Sequence, residues 1–318
     1  MPDATLRGRF VWHELMAADV KSAGAFYTKI AGWKARAFKG NASYTELLAG
    51  NRPAAGLMTL PDDAKAMGAP PNWLMYVGTT DVDATAREAT SLGGKVVKAP
   101  ADIPTVGRFA ILQDPQGGVF AVFTPASGAG GPDAAPAVGQ FSWHELATTD
   151  APAAMTFYRS LFGWNETSTM DMGPTGLYHM FAVQGRQQGG VFNKPKEMPG
   201  PTAWLSYIRV LDAKKTAEAI KKAGGQVING PMEVPGGDLI AQALDPQGVM
   251  FAVHSVKAAA AAKPKAAART GAAKRKPAAR PKKAAKSKKA ATPKKAAKRA
   301  ARPRRRSAKK AGARKRRR

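Results

Sequence analysis

The chain has 318 residues, 44% of them apolar, with a formal charge of +28, a length that suggests about two domains. It contains no cysteine, which excludes disulfides, thiolate metal sites and a thiol nucleophile. The N-terminal stretch has no signal-peptide apolar core, and no apolar run approaches the ~20 residues of a membrane span, so a cytoplasmic protein is expected.

The first strand is read at VWHEL, from Val11. Alternation puts Trp12 and Glu14 on one face and His13 on the other. Asp19 then caps a helix whose Ala23, Phe26, Tyr27 and Ile30 recur at helical spacing, and Gly32 suits its C-terminal cap. Strand-like segments follow at SYTELLA and AAGLMTL, and again at WLMYVG after a PPN turn. A second Asp-led helix runs from Asp81 to Leu92 and ends at Gly93-Gly94. RFAILQ, a DPQG turn and VFAVFTP complete an order that reads βαβββ twice.

The pattern then repeats. FSWHEL from Phe141 answers FVWHEL from Phe10, and one offset of 131 relates His13 to His144, Gly32 to Gly163, Trp73 to Trp204, Tyr76 to Tyr207 and Asp114 to Asp245. A constant offset over so many anchors marks a duplication that kept one backbone plan. Units are expected at 8–124 and 140–256, joined by a Pro/Gly/Ala-rich linker at 125–139. Each is long enough to bury a core of its own.

The D-x7-Y of Asp19 to Tyr27, the Gly-Trp after the helix, the GG pair and the DPxG turn together resemble the vicinal oxygen chelate superfamily. That superfamily includes glyoxalase I, bleomycin and fosfomycin resistance proteins, and extradiol dioxygenases. The resemblance covers both units and implies an α+β fold: tandem domains, each of two βαβββ modules forming one cupped mixed sheet. It also implies a divalent ion held by His, Gln or Glu on four strands. The positions it points to are Trp12, Leu74 and Ala121, with Trp143, Leu205 and Ala252 in the second unit, and all are apolar. No cofactor is therefore expected, the remaining alternative being an unusual set such as Glu14, Glu145 and His254.

Each cup is expected to hold a carboxyl and a ring hydroxyl over an apolar floor. Glu14 and Glu145 are candidate bases, and Trp12, Tyr76, Trp143 and Tyr207 are candidate ligand-binding residues. A purely structural role for the two glutamates stays open. His13 and His144 read as satisfied structural histidines, Trp33 and Trp164 as core. His179 and His254 have no counterpart in the first unit and are not expected to be ligands.

From Lys257 to Arg318 there are 28 Lys and Arg and no acidic residue, leaving 22 basic against 22 acidic residues before it. The tail thus carries the whole net charge. It has no aromatic residue and is broken by Pro264, Pro277, Pro281, Pro293 and Pro303, so a disordered segment is expected. Its composition resembles linker-histone tails and bacterial histone-like proteins. Unopposed cations of this density release counterions from a phosphate backbone without reading sequence. Non-specific nucleic-acid contacts are assigned to Lys274, Arg275, Lys276, Lys282, Lys283, Arg304, Arg305, Arg306, Arg316, Arg317 and Arg318, and nucleoid association is expected.

Three functions remain open on sequence. One is a protein that binds a small, partly apolar ligand in its cups, carried to nucleic acid by its tail. Another is an enzyme of the superfamily using Glu14 and Glu145 as bases. The third is a DNA-associated architectural protein. The sequence leaves the oligomeric state undetermined.

Overall fold

The computed structural model describes residues 4–127 and 134–257. The middle of the expected linker and nearly all of the basic tail, including every assigned nucleic-acid contact, lie outside the described residues.

The first repeat contains β1 (Phe10–Ala17), α1 (Val20–Ala31), β2 (Lys34–Phe38), β3 (Asn41–Ala49) and β4 (Arg52–Thr59), then the short α2 (Asp62–Ala66). Its second half is β5 (Asn72–Gly78), α3 (Val82–Ser91), β6 (Lys95–Ile103), β7 (Gly107–Gln113) and β8 (Val119–Pro125). The second repeat runs β9 (Phe141–Thr148), α4 (Ala151–Phe162), β10 (Asn165–Asp171), β11 (Leu177–Val183) and β12 (Arg186–Asn193). It continues with β13 (Ala203–Arg209), α5 (Ala213–Lys222), β14 (Gln226–Glu233), β15 (Leu239–Leu244) and β16 (Met250–Ser255).

Each repeat is thus two βαβββ modules in one eight-stranded mixed sheet. The strand orders are β2-β3-β4-β1-β5-β8-β7-β6 and β10-β11-β12-β9-β13-β16-β15-β14. The first strands of the two modules pair antiparallel at the centre, and each also pairs in parallel with the last strand of its own module. Sequence supplies the local reasons. Asp19, Asp81, Asp150 and Asp212 cap the four main helices by accepting backbone amides of their first turns. Gly32 and Gly163 end α1 and α4 in the left-handed conformation that favours glycine.

The two larger apolar cores are shared between the repeats, while a smaller apolar cluster lies on the cup face of each. One shared core joins the second module of the first repeat (Val77, Phe120, Val122) to the first module of the second (Met155, Tyr158, Trp164). Its mirror joins Leu15, Phe26, Tyr27 and Trp33 to Ile208, Ile220 and Phe251. The helices supply the reason: α1 packs beside α5 and α3 beside α4, so each apolar helix face is covered only when both repeats are present.

The motifs that mark the repeats prove to be cross-repeat ties. The Tyr27 hydroxyl donates to Asp245 Oδ2 at 3.2 Å and the Tyr158 hydroxyl to Asp114 Oδ2 at 2.8 Å. Trp33 and Trp164 donate their indole N–H to the carbonyls of Gly139 and Gly8. Within its own turn each of these aspartates accepts backbone amides through Oδ1. Both ends of the D-x7-Y and DPxG motifs are therefore satisfied structurally.

Candidate functional sites in the two cups

The concave face of each sheet is built around one glutamate on the central strand. In the first cup, Trp12, Leu74, Tyr76 and Ala121 lie in a single apolar cluster with Met16 and Leu60. Glu14 is buried among them, and the Tyr76 hydroxyl donates to its Oε1 at 3.0 Å. The hydroxyl of Tyr44 on β3 neighbours the same carboxylate and favours its ionised form, and the Trp12 indole donates to Tyr44 at 2.8 Å. The second cup repeats the arrangement. Tyr178 and Tyr207 donate to Glu145 Oε1 and Oε2 at 2.9 and 2.8 Å, and the Trp143 indole donates to Tyr178 at 2.8 Å.

The structure thus brings together Trp12, Glu14 and Tyr76, and likewise Trp143, Glu145 and Tyr207. What the sequence reading missed is the second tyrosine of each cup. Tyr44 and Tyr178 are 134 positions apart, not 131, because the β10–β11 hairpin is longer than β2–β3. Glycine makes room for each. A Cβ built on Gly56 would overlap the Tyr44 hydroxyl, and one on Gly190 would overlap the Tyr178 ring.

Burial raises the pKa of both glutamates, against the opposing pull of their tyrosine hydrogen bonds. The tyrosines move further in the same direction, through burial and then through the adjacent carboxylate. They stay protonated donors at any ordinary pH. Each cup therefore presents a carboxyl able to accept a proton or a hydrogen bond, held by hydroxyl donors beside an indole.

The two cups are not equivalent, which corrects the picture of a matched apolar pair. Gln242 on β15 donates to the Tyr207 hydroxyl at 2.7 Å and to Glu145 Oε2 at 3.2 Å. Its counterpart in the first cup is Ile111. Ser142 and His254 likewise stand where the first cup has Val11 and Phe123. His254 pairs across strands with Ile240, which packs on the second cup's floor, so it faces into that cup.

His13 and His144 point away from the cups and meet each other between the repeats, Nε2 to Nε2 at 2.9 Å. His179 pairs with Glu166 on the outer hairpin. Glu14 and Glu145 occupy different cups, so the set Glu14, Glu145 and His254 does not come together. Among the described residues no group of three or more His, Asp or Glu side chains is arranged to hold a metal ion, and no helix is long and apolar enough to cross a membrane. A cavity of about 340 Å³ opens between the repeats beside the histidine pair, with Arg52 and Arg186 in its wall, but neither glutamate lines it.

Comparison with known proteins gives consistent matches. Residues 140–253 match the Glyoxalase/Bleomycin resistance protein/Dioxygenase superfamily, and residues 12–123 match a glyoxalase-like domain. The glyoxylase-named protein CFP32 of Mycobacterium tuberculosis is 31% identical over 246 residues, covering 76% of this chain and 92% of its own. The anthracycline biosynthesis protein DnrV of Streptomyces peucetius is 29% identical over 261 residues, covering 77% and 92%. Among solved structures, the Mn(II)-bound glyoxalase from Novosphingobium aromaticivorans shares the fold at TM-score 0.54 and 17% identity, over 79% of this chain and 82% of that one. The 2,3-dioxygenase LapB from Pseudomonas sp. KL28 does so at TM-score 0.57 and 10% identity, over 79% and 93%.

Proposed function

This chain belongs to the Glyoxalase/Bleomycin resistance protein/Dioxygenase superfamily, and from that premise we propose that it binds a small, partly apolar ligand in its cups without a resident metal. The observation that carries this reading is the Glu145 carboxyl, held between the Tyr178 and Tyr207 hydroxyls over an apolar floor. Such a site suits a ring-bearing ligand with a phenolic or enolic hydroxyl. The ring lies against Trp143, and the hydroxyl donates to Glu145 while Tyr207 and Gln242 hold the carboxylate in place.

The donors of either cup do not fit the superfamily's divalent ion. The first cup offers one glutamate; the second adds Gln242 and His254 to Glu145, but Gln242 is bonded to Tyr207 and Glu145, and His254 to Asp238 and Ser142. A protein-held divalent site takes three or four converging side chains. The raised pKa of Glu145 also gives the second cup the means to take a proton from the bound hydroxyl. The name of DnrV associates that relative with anthracycline biosynthesis, and a hydroxylated polycyclic aromatic is the natural probe.

A second reading concerns the tail. Its 28 cations without a single acidic residue favour sequence-independent binding of nucleic acid, through phosphate contacts alone. The lack of aromatics removes the stacking platform of single-strand binders, so a duplex is the simpler partner.

The test of the ligand reading is calorimetric titration of chelator-treated, nucleic-acid-free protein with a hydroxylated anthraquinone. Saturable binding unaffected by chelation is expected. Binding that appears only when a divalent ion is restored contradicts the reading.

A further inference from the structure

Three side chains on the rim of the second cup form a continuous relay. Asp238 Oδ2 lies 2.9 Å from His254 Nε2, and His254 Nδ1 lies 2.9 Å from Ser142 Oγ. Partial burial would raise the Asp238 pKa, but its hydrogen bonds from the Lys257 amide and His254 prevail and hold it below the usual carboxylate range. An ionised Asp238 fixes the proton on Nε2, so Nδ1 carries a lone pair aimed at the serine hydroxyl. The roles are those of a Ser-His-Asp triad with the two ring nitrogens exchanged.

The backbone explains why Ser142 reaches this position. The β9–β13 pairing slips between Trp143 and Phe141, leaving Ser142 in a bulge. Its counterpart Val11 sits at the same slip in the first sheet and packs into the first cup's apolar cluster, so the bulge turns this residue cupward. Bulges re-aim side chains in this way. On β13, Arg209 is the register partner of His254, and its buried Nε has no hydrogen-bond partner among the described residues. A buried donor of this kind is completed by a ligand oxygen or a water.

The duplication supplies an internal control. Where the second cup has Ser142, Arg209, Asp238 and His254, the first has Val11, Gly78, Gly107 and Phe123. All four polar groups are thus found in one cup only, although both keep the Glu, the two Tyr and the Trp.

We propose that Ser142, His254 and Asp238 make the rim of the second cup an acyl-transfer site that hydrolyses carboxylic esters of partly apolar, ring-bearing compounds. The substrate class rests on the ligand reading of that cup; the relay itself does not. Ser142 Oγ bonds to the ester carbonyl carbon as its proton passes to His254 Nδ1. The tetrahedral oxyanion collapses and breaks the bond to the alcohol oxygen, which takes the proton from Nδ1. Water then attacks the acyl-serine with His254 again as base, releasing the carboxylic acid and restoring Ser142. Asp238 stays ionised throughout and holds the imidazole.

The test is reaction of the full-length chain with an aryl fluorophosphonate, read by intact mass and peptide mapping, beside hydrolysis of a p-nitrophenyl ester. One adduct per chain on Ser142 is expected. Both signals vanish in Ser142→Ala, and the labelling rate falls roughly 10²-fold or more in His254→Gln and Asp238→Asn. Protein that binds the anthraquinone probe but leaves Ser142 unlabelled overturns this inference alone. Labelled Ser142 in protein that binds no anthraquinone leaves the relay standing and overturns the ligand reading instead. Ester hydrolysis unchanged in Ser142→Ala also overturns the relay.

Discussion

His13 and His144, equivalent residues of the two repeats, share one hydrogen bond between their Nε2 atoms at 2.9 Å. Each ring also stacks on a phenylalanine of the other repeat, His13 on Phe141 at 3.7 Å and His144 on Phe10 at 3.5 Å. The His144 Nδ1 contact to the Gln188 carbonyl at 3.2 Å places a proton there, so His144 Nε2 accepts and His13 Nε2 donates. The bond requires His144 Nε2 to stay unprotonated. Burial lowers both pKa values, that of His144 to about 3, and the neighbouring His144 lowers His13 further.

Stability should therefore depend on pH through this pair. The unfolded histidines take up protons near pH 6.5 while the folded pair resists, so their contribution is complete above 6.5 and is lost as pH falls toward 3. The slope is at most about 1.4 kcal/mol per pH unit for each histidine. Glu14 and Glu145, with raised values, act in the opposite direction above their unfolded pKa. The measurement is thus a difference: urea unfolding of wild type against His13→Gln/His144→Gln at pH 7.5, 6 and 5. A flatter acid limb is expected in the double variant.

Tyr27→Phe and Tyr158→Phe each remove one hydroxyl that reaches a buried aspartate in the other repeat. A loss of about 1–3 kcal/mol is expected for each. Because the larger cores are shared, unfolding should remain a single transition, read by fluorescence and circular dichroism together. Two separated transitions would show that the repeats fold independently.

Gly190→Ala should expel the Tyr178 ring from its place over the sheet and break its bond to Glu145. Aromatic-ligand affinity should fall roughly 10-fold or more, on the scale of one charge-assisted hydrogen bond. Ester hydrolysis of a small acetate at the rim should persist, since Tyr178 is not part of the relay. Equal loss of both activities would mean general disruption of the cup.

Ending the chain after Lys257 should abolish retention on duplex DNA. For the full chain, log affinity should fall linearly with log salt, with a slope of about −0.9 for each phosphate neutralised. Random-sequence duplexes should bind alike. Equal retention of the shortened and full-length proteins would place nucleic-acid binding elsewhere or nowhere.

Much of the fold is legible wherever one face of an element is buried. The helix caps at Asp19 and Gly32, the buried stripe of α1 and the central strands all follow from residue spacing. The edge strands β2 and β6 do not, because most of their residues are exposed and no apolar alternation marks them. Glu14, Tyr76 and their second-cup equivalents were reachable through alternation and the 131-residue offset. Tyr44 and Tyr178 were hidden by a compensating length difference between hairpins. Ser142 was hidden by the bulge, which breaks alternation, and the pairing of Asp238 with His254 depends on a turn that brings β15 back along β16. Treating the repeats as equivalent concealed the polar character of the second cup.

The central claim is that Glu145 is the acceptor for a bound hydroxyl, and one comparison tests it most directly. The hydroxylated anthraquinone is titrated into wild type, Glu145→Gln and Glu14→Gln between pH 4 and 8. The account predicts that wild-type affinity falls as the pH drops through a Glu145 pKa above 4.5. Glu145→Gln should bind at least 10-fold more weakly at pH 7 and lose that pH dependence. Unchanged affinity and an unchanged pH profile in Glu145→Gln would contradict it.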